Sequence, residues 1–170
     1  MYKNVARPKA IFTTWLLMWG RLLTTDRLIK WGMQIDPKCP LCCKHEETKE
    51  HLFVHCDYAK QIWIKMDNWT TIQHCTISTW DQHLDWMIAN SKGNSQGAQV
   101  FKIVYSETIY AIWMERNFRI FEKRDREWES IAKEIAYVYV LELLPKSSVL
   151  SKIYLSFSIC LVAPSKFLFS

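Results

Sequence analysis

A mainly α-helical chain, interrupted once by a short irregular knuckle, is what the sequence predicts, and three observations carry that expectation. Apolar residues recur at helical spacing, most clearly at Phe101, Val104, Tyr105, Thr108 and Ile112 and again at Trp128, Ile131, Ile135 and Val138. The clearest linker, residues 91–97, is rich in Gly, Ser and Asn and holds two of the four glycines in the chain. Between the helical stretches lies a segment dense in Cys and His, residues 39–56.

The elements follow in order. Ala10 to Trp19 has helical spacing, and Pro8 suits a helix start because its missing N–H would have no partner there. Thr24 or Thr25 can cap a second helix, with Asp26 in its first turn and Gly32 at its end. The two form a helical hairpin that leads into the knuckle. A third helix is expected from Thr48 or Asp57 through Trp69, with Ile62, Trp63 and Met66 as its apolar stripe. Ser78 or Thr79 caps a fourth, running to Ala89 and burying Trp80, Leu84 and Met87. A long helix from Ala98 to Lys123 and a last one from Glu127 to Leu144 make a second hairpin, with Pro145 just beyond. The expected organisation is a small helical domain over 8–69, a helix and Gly/Ser linker over 70–97, a helical hairpin over 98–145 and a poorly ordered tail over 146–170. That tail has no acidic residue, and its apolar run 153–163 is shorter than the roughly 20 residues needed to cross a bilayer. No membrane span is expected.

At 170 residues and 49% apolar content, with nine Trp, the chain can build a core whose buried area comes largely from aromatic rings. Residues 1–38 hold seven basic and two acidic residues, which accounts for the whole net charge of +5. A basic segment of this kind is an electrostatic footprint for a phosphate backbone. Arg21, Arg27 and Lys30 are the candidate nucleic-acid contacts, with Trp15, Trp19 or Trp31 as stacking surfaces. The competing expectation is that these tryptophans pack inward. A second basic cluster, Arg116, Arg119, Lys123, Arg124 and Arg126, is interleaved with Glu115, Glu122, Asp125, Glu127 and Glu129. It reads as a solvated, salt-bridged face, because alternating signs cancel any long-range field.

The knuckle reads C-x2-C-x8-H-x4-C over Cys39, Cys42, His51 and Cys56. Three thiolates and one imidazole can close a tetrahedron around one zinc ion. Two residues separate the first pair, so one tight turn stiffened by Pro40 can aim both sulfurs at one point. A helix starting near Thr48 can present His51 and Cys56 from the other side, and Lys38, Lys44 and Lys49 lie close enough to offset a net charge of −1. Cys43 is the alternative to Cys42, and His45 and His55 read as bystanders. Cys75 and Cys160 lack ligand-spaced partners and read as buried or incidental thiols. The alternative of disulfides loses weight because residues 1–10 lack an apolar leader core; an intracellular setting, including the nucleus, is expected, and thiols stay reduced there. A hydrolytic zinc needs an open coordination position and a nearby base, and this set fills all four positions. The metal is therefore expected to be structural, and no nucleophile–base set marks the chain as an enzyme.

The stretch from Trp15 to Leu28, then Cys39-Pro-Leu-Cys42, Glu50-His51-Leu52-Phe53, Cys56 and Trp63, resembles the reverse transcriptase zinc-binding domain found in plant LINE-type (non-LTR) retrotransposons. Ile112-Trp-Met-Glu-Arg-Asn-Phe-Arg-Ile-Phe121 is similar to a segment that often follows that domain. The resemblance implies zinc ligands at Cys39, Cys42, His51 and Cys56. It also implies an accessory module beside a polymerase, with RNA, DNA, a reverse transcriptase or another protein as partner. The sequence holds no Tyr/Phe-x-Asp-Asp pair of a polymerase, so a detached, non-catalytic module is expected. A protein-docking module and a relic without selected activity are the alternatives.

Overall fold

The computed structural model describes residues 6–70 and 77–143, which form six α-helices: α1 (Pro8–Met18), α2 (Thr25–Lys30), α3 (Asp57–Thr70), α4 (Trp80–Ser91), α5 (Gln96–Asn117) and α6 (Trp128–Leu143). Two π-helical turns interrupt the pattern, His51–His55 before α3 and Phe118–Glu122 after α5. Among the described residues the only β feature is an isolated antiparallel bridge between Lys38 and Glu46, at the base of the knuckle. The mainly helical class is as the sequence predicts. No helix among the described residues is long and apolar enough to cross a membrane. Cys75, Cys160 and the tail 146–170 lie outside the described residues.

The long helix α5 organises the rest, packing against α1, α3, α4 and α6. Residues 103–109 are buried one after another, so this stretch of helix has no solvent face. Ile103, Ile109 and Ile112 from α5 meet Leu17 of α1, Ile62 and Met66 of α3, and Ile131 and Ile135 of α6 in one continuous core. The stripes predicted for α3 and α5 are buried, and α6 places Ile131 and Ile135 inward with Val138 only half-buried. At the α3–α4–α5 junction Trp63, Trp86, Phe101 and Tyr105 pack as tilted, edge-to-face and stacked rings, with centroids 5.0–6.2 Å apart. Buried His83 sits among them with Nε2 2.9 Å from the Tyr105 hydroxyl.

The stops of α1 and α2 follow local sequence signals, whereas helix starts combine local caps with long-range contacts. Gly20 and Gly32 adopt positive φ just past α1 and α2. Each closes a double hydrogen-bonded stop: Gly20 N–H to Leu17 O with Arg21 N–H to Leu16 O, and Gly32 N–H to Ile29 O with Met33 N–H to Leu28 O. At the starts, Thr79 and Ser95 accept N–H bonds from Gln82 and Ala98, as local caps do. Three starts are also met by carboxylates from elsewhere in the sequence. Glu107 of α5 accepts the Arg7 N–H ahead of α1 at 3.1 Å, and Glu47 accepts the Thr25 N–H of α2 at 2.8 Å. Glu50 accepts the Trp80 N–H of α4 at 2.8 Å. Thr24 occupies the expected cap position, but its hydroxyl bonds Asp26 instead. Each carboxylate meets the positive end of a helix dipole as well as an unpaired N–H.

Two expectations are corrected. Trp15, Trp19 and Trp31 do not pack inward: they are 44%, 65% and 62% exposed. The Glu115–Arg126 region is not uniformly a solvated face, because Glu115 and Arg116 are buried at 0% and 3% exposure. Glu115 accepts bonds from Arg119 and Arg126, and Arg116 reaches Glu47. Lys123, Arg124 and Asp125 do face solvent.

Candidate metal centre

The centre is built from the knuckle turn, the π-helical turn and the start of α3. A Cys43 N–H to Cys39 O bond of 2.8 Å closes the Cys39–Cys43 turn, and Cys43 takes up a left-handed backbone at φ 56°. The chain returns through Cys39 N–H to His45 O and Glu47 N–H to Pro37 O, both 2.8 Å, forming a short two-stranded stem. Backbone N–H groups of Cys42 and Leu41 point at the Cys39 sulfur. That arrangement favours a thiolate and fixes the direction of its lone pairs.

The second pair depends on the π turn. In an α-helix, residues five apart point about 140° away from each other. A Cys56 N–H to His51 O bond of 2.7 Å closes a wider turn instead and brings both side chains to one side. Thr48 starts this turn, its hydroxyl accepting from the His51 N–H. Phe53 O, inside the turn, accepts the indole N–H of Trp63 at 2.9 Å. Cys56 then leaves the turn and stands just ahead of α3, where the Tyr58 and Ala59 N–H groups point at its sulfur. The thiol therefore also serves as the cap of α3.

The ligand atoms of Cys39, Cys42, His51 and Cys56 all lie within 4.8 Å of one another. The Cys39 and Cys56 sulfurs are 3.9 Å apart, and Cys42 Sγ is 3.2 Å from His51 Nε2. A tetrahedron with Zn–S bonds of about 2.3 Å has an edge of about 3.8 Å, so the group fits a zinc ion. A disulfide would need sulfurs about 2.05 Å apart, and the four described cysteines are free. The hydrogen bond between Cys39 and Cys56, with burial, holds the Cys39 thiol far up, and the same bond, against burial, holds the Cys56 thiol down. Burial, with His45 and His55 nearby, lowers His51, which keeps its imidazole neutral as a metal ligand must be.

The bystanders fall outside the cluster. Cys43 is exposed, with its sulfur near Pro40 O. His45 is exposed, with its ring centroid 5.4 Å from that of His51, and His55 faces Glu50. Of the three lysines expected to offset charge, Lys44 pairs with Asp57 at 2.9 Å and Lys49 lies over the Trp80 ring. The residue that reaches the knuckle from afar is Arg119. Its guanidinium donates to Pro40 O and Leu41 O, at 3.3 and 3.0 Å, inside the Cys39–Cys42 turn, while Glu115 holds its Nε. Spacing alone gave no sign of this support; its only marker was the segment Ile112–Phe121, which holds both Glu115 and Arg119.

The three candidate nucleic-acid residues sit on the α1–α2 hairpin, each with its own contacts. Arg21 is exposed, with its guanidinium over the Trp15 ring. Arg27 donates to Gly20 O and Leu22 O and lies over Trp31. Lys30 pairs loosely with Asp26 at 3.6 Å.

A closed Cys3His group at the edge of a helical core defines a zinc-binding module. Residues 1–63 match the model of a family described as zinc-binding in reverse transcriptase, which supports a reverse transcriptase zinc-binding domain in this part of the chain. That family is a zinc-binding accessory domain rather than a catalytic one. No curated protein and no solved structure matches the chain.

Proposed function

We propose that the chain is a non-catalytic module, related to plant LINE-type retrotransposon polyproteins, in which Cys39, Cys42, His51 and Cys56 hold one structural zinc ion. The convergence of those four ligand atoms carries the reading. The ion would tie the knuckle turn to the start of α3 and so set the base on which the α1–α2 hairpin stands. Three thiolates would leave the site at −1, and the Arg119 bonds to the knuckle carbonyls place a positive group nearby. In this reading the hairpin contacts RNA or DNA through Arg21, Arg27 and Lys30, gripping phosphates without reading bases. A nuclear or other intracellular setting suits that role.

Mass spectrometry of the purified chain should find one zinc per molecule, and both Cys39→Ser and His51→Ala should lose it. Retention in either variant would remove that residue from the ligand set. For nucleic acid, the expected signature is micromolar binding that weakens steeply as salt rises, because phosphate contacts release counterions.

A further inference from the structure

Resting on the nucleic-acid reading above, we propose that the outer face of the α1–α2 hairpin is a stacking platform for the unpaired bases of single-stranded RNA or DNA. Helix α1 has two stripes. Ala10, Thr13 and Leu17 face inward. Phe12, Trp15 and Trp19 face outward at three- and four-residue steps, with successive ring centroids 6.0 and 6.3 Å apart. Such a row of exposed rings lies outside the core that the described residues form.

The charges around this row select the occupant. Arg21 lies over Trp15 at 5.6 Å and Arg27 over Trp31 at 5.3 Å. Arg27 also bonds Gly20 O, so the Trp31 ring stands beside the end of α1. Neither guanidinium meets a carboxylate among the described residues, whereas Arg7 is engaged by Glu107 and Lys30 by Asp26. An apolar protein surface laid on this face would desolvate two cations that have ring and carbonyl contacts but no carboxylate to neutralise them. A polyanion compensates them, and the whole net positive charge of the chain lies in residues 1–38. Among polyanions, a duplex keeps its bases stacked on one another and offers only edges. A single strand offers free π-faces, which aromatic rings bind with little regard to sequence.

The test is an anisotropy titration of the zinc-loaded full chain with labelled single-stranded DNA and RNA of about 12 nucleotides, and with duplexes of equal length. Trp15→Ala and Trp19→Ala run beside the parent, and zinc content and helicity confirm that they fold. Single strands should bind more tightly than duplex. Each substitution should weaken single-strand binding about fivefold or more while leaving duplex binding unchanged. Equal affinity for single strand and duplex, salt-dependent but indifferent to both tryptophans, would overturn the stacking platform and leave the nucleic-acid reading standing. Absence of salt-dependent binding to any of these would overturn both. Self-association of the chain that Trp19→Ala abolishes, with no nucleic acid bound, would assign the face to a protein contact and overturn the proposal.

Discussion

Stripping the metal from the folded chain is expected to cost more stability than any single core substitution. Structural zinc in small domains contributes apparent binding energies of about 10–16 kcal/mol, much of it as folding energy. Here the core extends well beyond the knuckle, so the helices α5 and α6 should persist while the knuckle, the π turn and the start of α3 lose order. Cys56 separates two contributions, because its sulfur is both a candidate ligand and the cap of α3. Cys56→Ser keeps a capping oxygen and removes the soft ligand. Cys56→Ala removes both and should be worse by about 1 kcal/mol, the usual worth of a cap. Thermal unfolding followed by circular dichroism, with and without a chelator, reads both effects. A chelated parent that melts at the same temperature as the zinc-loaded one would exclude a structural role for the ion.

The second large effect is expected at Arg116→Met. Glu47 is fully buried, and Arg116 is its ion-pair partner, with Nε and Nη2 2.8–3.2 Å from the carboxylate. The same guanidinium bonds Leu23 O and lies over the Trp113 ring. Removing it leaves a carboxylate in the interior with only the Thr25 N–H, and breaking buried pairs in this way costs about 3–5 kcal/mol. The double variant Glu47→Gln with Arg116→Met should recover part of the loss, since Gln still accepts from Thr25 and no charge remains buried. Denaturant titration of the three variants gives the comparison. A loss below about 1 kcal/mol for Arg116→Met alone would show that water reaches Glu47 and that the pair does not hold the knuckle in place.

Much of this architecture is written in local pattern. The stripe Ile62, Trp63 and Met66, the Thr79 cap, the Pro8 start and the Gly32 stop all act within one or two helical turns, which is the range that spacing and propensity report. The Cys and His spacing singled out the four side chains that the structure gathers for the same reason. What stayed hidden depends on contacts far apart in sequence. Nothing near Thr25 announces that its N–H will be met by Glu47. The charges at 115–126 alternate in sign, and alternation alone reads as solvated. Yet Glu115 and Arg116 continue the buried stripe through Thr108, Ile109 and Ile112 at three- and four-residue steps, and that periodicity was the available clue. The tryptophans of the hairpin misled in the opposite direction: size and hydrophobicity argue for burial, whereas α1 has already spent one side on α5.

The carboxylates at the starts of α1 and α2 bear on where this protein can be cut. Helices of 11 and 6 residues are too short to persist alone in water. Glu107, which completes the start of α1, lies outside residues 1–63, as does Arg116, which neutralises the Glu47 that completes α2. A peptide ending at residue 63 would keep every candidate zinc ligand and still be expected to show little helical ellipticity until residues through α5 are restored. Metal binding and autonomy would then part company: the edge of the matched segment at residue 63 is not the boundary across which the chain folds.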